Sequence, residues 1–405
     1  MPSSISDAPA LSPEGRRPSL LSLVVISTLS PFAINVIVPS MPALEKDFHA
    51  SFATVQLVLS LFLASVAISQ IVIGPLSDRF GRRPVLLCGL SIFTGTSALA
   101  SLATDIESLL ALRVLQAAGG CTGIVLARAI VRDLYDRRKA ASVIGYVTMG
   151  LAMAPMVAPL FGGLLQQSFG WRAQFVMLTV FGALVLALAW RDVSETHHAR
   201  TERIAFATLF RDFGYLLKEP AFLVYTAVSS LATSVFFAFL GGGAYVAGTI
   251  LGLSPIAYGS WFAVLSIGYA FGNFLSGRFA EKVGVRRMTL AGSSLLLIAQ
   301  LVLLALIASG HLSAPALFLP MCVGGISNGL VLPSTIAGAI SVRPEIAGTA
   351  AGLQGATQIG SGAISSAIAG AVLAGGMSAL PLSAVMLTGA VAAFTFSVIL
   401  FRIVR

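Results

Sequence analysis

The segment GPLSDRFGRRP at residues 74–84 is a short charged turn between two long apolar segments. A similar segment, GRFAEKVGVRR, lies at residues 277–287, at an offset of 203 residues. Glycines match at the first and eighth positions, an acidic residue at the fifth, and an arginine at the tenth. A charged turn that recurs after half the chain length predicts a membrane protein built from two similar halves.

The composition supports a membrane protein independently of this repeat. Hydrophobic residues make up 57% of the chain and charged residues only 10%, whereas soluble domains carry about 25% charged residues. A helix needs about 20 apolar residues to cross a bilayer. Segments of that size lie at roughly 19–42, 51–76, 84–104, 107–131, 139–165, 171–190, 221–247, 254–277, 288–309, 314–340, 346–373 and 381–402. The sequence therefore predicts an all-α integral membrane protein with twelve transmembrane helices.

The net charge is +9, and the positions of the basic residues follow the predicted topology. Arginine and lysine cluster before the first span and after every second span, whereas the intervening gaps carry only Lys46 and Arg172. Under the positive-inside rule this alternation places both termini in the cytoplasm and the protein in the bacterial inner membrane. The basic residues are explained by topology, so we expect no nucleic-acid partner.

The longest hydrophilic stretch, residues 191–219, divides the chain. We predict a cytoplasmic tail at 1–17, an N-terminal six-helix half at 18–190, a cytoplasmic linker at 191–219 and a C-terminal six-helix half at 220–405. The three cysteines lie in apolar segments and the four histidines in loops, so we expect no metal site and no cofactor. A phosphate-loop motif is absent from the sequence, so uphill transport would need an ion gradient.

Further segments carry a family resemblance. They are SPFAINVIVPSMP at 30–42, ARAIVRDLY at 127–135, MAPMVAPLFGG at 153–163 and GWR at 170–172. Together with residues 74–84 they resemble the major facilitator superfamily, and more narrowly its Bcr/CflA subgroup of twelve-span drug:proton antiporters. The resemblance covers nearly the whole chain. It implies the major facilitator fold, with two pseudo-symmetric six-helix halves, and multidrug efflux that confers antibiotic resistance. It also implies a monomer.

In the resembled family, the acidic residue of the 74–84 turn is part of a conformational latch with basic residues and with the start of span eleven. The residues predicted to form this latch are Gly74, Asp78, Gly81, Arg82, Arg128 and Arg132. The glycines would permit close helix approach and a tight reversal of the chain. The alternative is that these charges only set the topology.

Arg113 lies about six residues, or roughly 9 Å, into the fourth span. A charged side chain in lipid costs a few kcal/mol or more, so we expect Arg113 to face the interior of the bundle. The resemblance implies a role in proton coupling. Gln116, one turn along, is a candidate to bind substrate or to hold the arginine. The alternative is that Arg113 extends to the outer interface beside Glu107.

Span five carries a predicted helix-bend motif, Pro155, Pro159, Gly162 and Gly163, which resembles the exporter motif of the superfamily. Each proline removes an intrahelical hydrogen bond, and the glycines allow close packing. The residues predicted to line the substrate cavity are Asn35, Arg113, Gln116, Phe236, Gln354 and Gln358.

Asn35 stands where the subgroup usually has an aspartate, and asparagine cannot carry a proton. All sixteen acidic residues lie in loops, tails or helix ends. Two hypotheses therefore stay open. The first is a proton-coupled exporter of small amphipathic or neutral drug-like compounds, with protons and the bilayer as its other partners. The second is an uptake carrier or facilitator of a small neutral or anionic solute without proton antiport. The sequence holds no constellation typical of an intramembrane enzyme, so we expect a transporter and not an enzyme.

Overall fold

The structure is a computed structural model that describes residues 18–135, 137–196, 206–374 and 376–403. The predicted tail at 1–17 and residues 197–205 of the predicted linker lie outside the described residues. All regular elements of the described chain are helical. The α-helices are α1 Leu20–Val36, α2 Met41–Asp47, α3 Phe52–Phe80, α4 Arg82–Ala100, α5 Ile106–Leu134, α6 Arg137–Phe169, α7 Arg172–Asp192, α8 Phe206–Leu216, α9 Pro220–Tyr245, α10 Pro255–Val283, α11 Val285–Ala308, α12 Ala314–Val342, α13 Ala347–Leu373 and α14 Leu380–Ile403.

The helices account for the predicted spans. Within the described residues, ten helical segments, with α1 and α2 counted as one, are long and apolar enough to cross a membrane. The two remaining predicted spans correspond to α6 and α10, which are 33 and 29 residues long and pack against each other. The prediction of an all-α membrane protein is confirmed.

Helices α1–α7 and α9–α14 belong to the two predicted halves, and α8 lies in the linker segment between them. The halves meet where α3 packs against α13 and where α6 packs against α10. The linker helix α8 also contacts α13.

Both copies of the charged turn reverse the chain at a glycine with a positive φ angle, 99° at Gly81 and 86° at Gly284. A side chain rarely adopts this conformation, so both turns need glycine. These two turns mark one end of the bundle, which we call the arginine-rich end. The end that carries Lys46 and the start of α3 is called the opposite end.

The opposite end is closed by contacts between the two halves. The rings of Phe52 and Tyr245 have centroids 4.4 Å apart. Deeper in the bundle, Nε2 of Gln56 on α3 donates to Oγ of Ser366 on α13 at 2.6 Å, and both side chains are buried. These contacts hold the two halves together at this end.

Candidate functional site

Arg113 is fully buried inside the N-terminal half and does not extend to the outer interface. Its guanidinium lies over the ring of Phe62, with Cζ 4.0 Å from the ring centroid. Nε lies 3.3 Å from the carbonyl oxygen of Val58, and Nη2 donates to the carbonyl of Ala33 at 3.3 Å. The guanidinium of Arg113, on α5, thus lies against α1 and α3.

The break in the first span explains one of these acceptors. α1 ends at Val36, and the amide of Ile37 bonds to the carbonyl of Asn35 instead of continuing the helical ladder. The carbonyl of Ala33 therefore remains available to Arg113. A buried carbonyl without a partner costs about 1–3 kcal/mol, so this contact offsets the helix break.

Gln116 holds the arginine from the same helix. Its Oε1 accepts from Nη1 of Arg113 at 2.6 Å, and its Nε2 donates to Oγ of Ser97 on α4 at 2.6 Å. All three side chains are buried. Of the two roles considered for Gln116, this geometry matches the one in which it positions Arg113.

Arg113 has no acidic counterion in the described chain. The buried polar residues of that part of the protein include Arg82 and Arg113 but no aspartate or glutamate. The charge is balanced by carbonyl dipoles, an amide oxygen and the face of an aromatic ring. A guanidinium held in this way can accept an anionic or electron-rich partner without first breaking an ion pair.

The remaining predicted cavity residues lie on several helices. Asn35 is 3% exposed, and its Nδ2 donates to the carbonyl of Pro31 at 2.8 Å. Gln354 is buried and donates to Oγ of Ser229 at 3.1 Å. Gln358 is partly buried, as is Phe236, whose ring packs edge-on against Phe237 at 5.3 Å.

Asn35, Gln354 and Gln358 share one property that a binding site needs. Each keeps a buried polar atom without a hydrogen-bond partner, namely Oδ1 of Asn35, Oε1 of Gln354 and Nε2 of Gln358. Buried polar groups are normally satisfied. These three atoms are therefore available to a ligand, whereas Arg113 and Gln116 are already engaged with each other.

The 74–84 turn forms a charged network at the arginine-rich end. Arg82 is buried and pairs with Asp78 at 2.5 Å and with Asp133 at 3.0 Å. Beyond α7, the carboxylate of Glu195 accepts from the backbone amides of Arg82 at 2.9 Å and Arg83 at 3.3 Å. Glu195 thus caps the N-terminus of α4, where an anion is stabilised by the helix dipole.

One part of the predicted latch needs correction. No heavy atom lies within 4 Å of a Cβ built on Gly74, apart from its own helix, so this glycine does not mediate a close helix approach. Asp78 pairs with Arg82. Arg132 lies against Gly348 at the start of α13, with Nη1 2.5 Å from a Cβ built on that glycine.

The α6 motif lies at the contact between the halves. A Cβ on Gly163 would collide with the carbonyl oxygen of Pro255 on α10, and one on Gly162 would collide with the carbonyl of Val36. α6 continues as a helix through both prolines. Because Pro159 has no amide hydrogen, the carbonyl of Pro155 lacks its helical partner. Oγ of Ser266 on α10 lies 3.4 Å from that carbonyl.

Comparison with known proteins agrees with this architecture. The family model described as Major Facilitator Superfamily matches residues 23–247. The bicyclomycin resistance protein homolog of Haemophilus influenzae is 30% identical over 86% of this chain and 88% of its own length. The multidrug resistance protein D of Escherichia coli is 31% identical, over 86% of this chain and 87% of its own length.

This chain belongs to the Major Facilitator Superfamily. Its fold also matches the crystal structure of a bacterial homolog of the human lysosomal transporter Spinster, with a TM-score of 0.72 and 21% identity. That match covers 95% of this chain and 96% of the other. The predicted family and the major facilitator fold are confirmed, and the chain is a multi-pass membrane protein.

Sequence reasoning missed three contacts that organise the site of this superfamily member. Glu195 and Asp133 hold the 74–84 turn, and Ser97 holds Gln116. Their signal was faint because each lies on a different segment from its partner. For Glu195, the only hint was an acidic residue shortly after a span whose end lies on the same side as the turn.

The acidic residue at the start of α5 has a structural role. Asp105 caps α5 by accepting from the amide of Ser108 at 2.8 Å. This hydrogen bond lowers the pKa of Asp105 below its ordinary value. The carboxylate of Asp105 is therefore part of the α5 N-cap.

Proposed function

We propose that this protein is a secondary active exporter of small amphipathic or neutral drug-like compounds, located in the bacterial inner membrane with both termini in the cytoplasm. The observation that carries this proposal is the similarity, over most of the chain, to proteins named for bicyclomycin and multidrug resistance. The substrate is a small molecule, and the protein is a transporter and not an enzyme. We expect a monomer that works without a cofactor and has no nucleic-acid partner.

The site chemistry favours substrates that carry no strong positive charge. Asn35 supplies an amide where a carboxylate would attract cations, and the buried charge nearest to α1 is the positive charge of Arg113. Gln354 and Gln358 offer unpartnered amide atoms from the other half. Neutral compounds with several hydrogen-bonding groups suit this set, because such pockets combine apolar walls with a few polar atoms.

Transport would proceed by alternating access, with the halves at 18–190 and 220–405 moving against each other about a central site. The contacts of Gln56 with Ser366 and of Gly163 with Pro255 would break when the opposite end opens. At the other end, Arg82, Asp78, Arg132 and Gly348 lie where a latch would act. Arg128 belongs to the same proposed latch, and its buried Nε has no hydrogen-bond partner.

Arg113 is proposed to couple export to protons through its environment and not by releasing a proton itself. Protonation or substrate binding near α1 would change which groups face its guanidinium. The absence of a buried acidic residue in the described chain favours a second candidate, a carrier or facilitator of a small neutral or anionic solute without proton antiport.

A resistance screen tests the export proposal. The protein is expressed in a bacterial strain stripped of its efflux pumps, and resistance is scanned across phenicols, bicyclic antibiotics and cationic dyes. We expect resistance to neutral compounds and little resistance to the dyes. A flat profile with normal membrane levels of the protein would argue against drug export.

Proton release distinguishes the two candidates. Substrate is added to purified protein in weakly buffered detergent solution, and the pH is recorded. An antiporter releases protons on binding substrate over some range of starting pH. If no release occurs at any pH while binding is measurable, the facilitator is favoured.

A further inference from the structure

A cavity of about 230 Å³ lies between the two halves of the protein. Lys46 is among its lining residues, which places the cavity at the opposite end. Residues from both halves form its walls, among them Pro39, Pro42, Gln166, Leu253, Pro255 and Tyr258. The residues that line this cavity are distinct from those predicted to line the substrate cavity.

The walls form where regular helices are interrupted. On the N-terminal side, Pro39 and Pro42 lie at the break between α1 and α2. On the C-terminal side, α9 continues into a π-helical turn at Val246–Ile250. Such turns are rare and often occur at functional sites. Gly248 in this turn faces Pro42, since a Cβ built on the glycine would lie 3.3 Å from Cγ of the proline. The two irregular segments therefore face each other across the halves.

Each half brings a buried, unpartnered polar atom to this cavity. Tyr258 on α10 is 3% exposed, and its ring packs against Phe262 and Phe318 at centroid distances of 5.9 and 5.8 Å. The Tyr258 hydroxyl and Oε1 of Gln166 on α6 are both buried and have no hydrogen-bond partner in the described chain. Because buried polar groups are normally satisfied, these two atoms indicate a wall suited to a polar ligand.

We propose that this cavity binds a small uncharged compound with an amide-like group on an apolar body. An N–H or O–H group of the ligand donates to Oε1 of Gln166, and the Tyr258 hydroxyl donates to a ligand carbonyl. The prolines and Leu253 supply the apolar wall. Lys46 is exposed, so its charge stays in water. Pockets for drug-sized ligands start at about 300 Å³, so the ligand of this smaller cavity is the size of a fragment.

A ligand in this cavity contacts both halves at once. It therefore binds when the opposite end is closed and loses half of its contacts when that end opens. By linkage, such a ligand stabilises the closed form. The binding site does not depend on the proposed export, whereas the effect on closure rests on the alternating access of the proposed function.

Fluorine NMR of 4-fluorobenzamide with the purified full-length protein in detergent tests the site. 4-Fluorotoluene, which lacks the amide, is the control probe, and micelles without protein give the background. Tyr258→Phe and Gln166→Leu should each weaken 4-fluorobenzamide binding about fivefold, because each removes one neutral hydrogen bond. The matched controls are Tyr225→Phe, a buried tyrosine that does not line the cavity, and Gln167→Leu, its exposed counterpart next to Gln166. Both controls should bind like the original protein.

Spin labels on the two halves at the opposite end test the effect on closure. At about ten times its dissociation constant, 4-fluorobenzamide should raise the ratio of closed to open forms about tenfold. Binding without this shift would overturn the bridging of the halves. The site itself is overturned if 4-fluorobenzamide does not bind or binds no more tightly than 4-fluorotoluene. It is also overturned if the double variant Tyr258→Phe/Gln166→Leu binds like the original protein. A flat resistance profile would count against export alone, because these measurements do not require transport.

Discussion

The eighth residue of α5 is Arg113, and the eighth residue of α12, at the matching place in the other half, is Met321. Both are buried. Arg113 bonds to Gln116, which bonds to Ser97 of α4, whereas Met321 accepts from Nε2 of Gln300 on α11 at 3.6 Å. The duplicated fold thus places a charge in one half and a thioether in the other, on equivalent helices.

The difference extends to the whole described chain. Its buried charged side chains, Arg82 and Arg113, are both in the N-terminal half. Neutral buried polar atoms without hydrogen-bond partners occur in both halves. In the N-terminal half they belong to Ser30, Asn35, Gln56, Gln166 and Gln174, and in the C-terminal half to Thr226, Ser230, Thr233, Tyr258, Gln300, Asn328, Ser334, Gln354 and Gln358. The halves therefore differ in buried charge and not in neutral polar atoms, and we infer that the N-terminal half is the one that responds to charge.

Replacing Arg113 by methionine gives both halves a thioether at this position. We expect this substitution to have the largest effect on export. We expect export to fall about 5- to 150-fold, which is the change in affinity that corresponds to a typical coupling free energy between two sites. Resistance and substrate-driven proton release both measure this loss. Met321→Leu is the matched control and should leave export unchanged, because it conserves volume and chemistry. Equal losses in both variants would contradict an asymmetric role for the charge.

Gly163→Ala tests the contact that joins the halves. The added Cβ collides with the carbonyl of Pro255, so we expect the closed opposite end to lose about 1–3 kcal/mol relative to the open form. Spin labels on the two halves at that end should report a longer distance. Gly95→Ala is the control, since no heavy atom outside its own helix lies within 4 Å of a Cβ built there. An unchanged distance distribution in the Gly163 variant would mean that this contact does not keep the opposite end closed.

Glu195→Gln removes the anion that caps α4 in the N-terminal turn. We expect a loss of about 1–2 kcal/mol in the free energy of unfolding, because a charged cap on two amides becomes a neutral one. Thermal unfolding in detergent measures it. Glu281→Gln, the exposed acid of the other turn, should change stability by less than about 0.5 kcal/mol. Similar shifts for the two variants would mean that the turns are neutralised in the same way.

The features that sequence predicted well are those determined by composition and by local pattern. Twelve apolar segments and two glycine turns were readable because span length and positive φ angles are properties of contiguous residues. The partners of the 74–84 turn were not readable from the sequence, because Glu195 lies more than 100 residues away along the chain. The packing role assigned to Gly74 failed for the same reason, since the space around a glycine depends on helices that sequence alone does not position.

The smallest expected effect is a difference in stability between alanine variants of the first glycine of each turn. Neither Gly74 nor Gly277 has a heavy atom outside its own helix within 4 Å of a built Cβ, so space does not distinguish them. Glycine inside a helix costs roughly 0.5–1 kcal/mol relative to alanine, so Gly277→Ala should stabilise the protein by about that amount. Gly74 precedes Pro75 within α3, and a Cβ before proline clashes with the proline ring in helical conformation. Gly74→Ala should therefore give no stabilisation. If thermal unfolding shows equal gains for both variants, Pro75 does not constrain this helix, and the two turns are more alike than their sequences indicate.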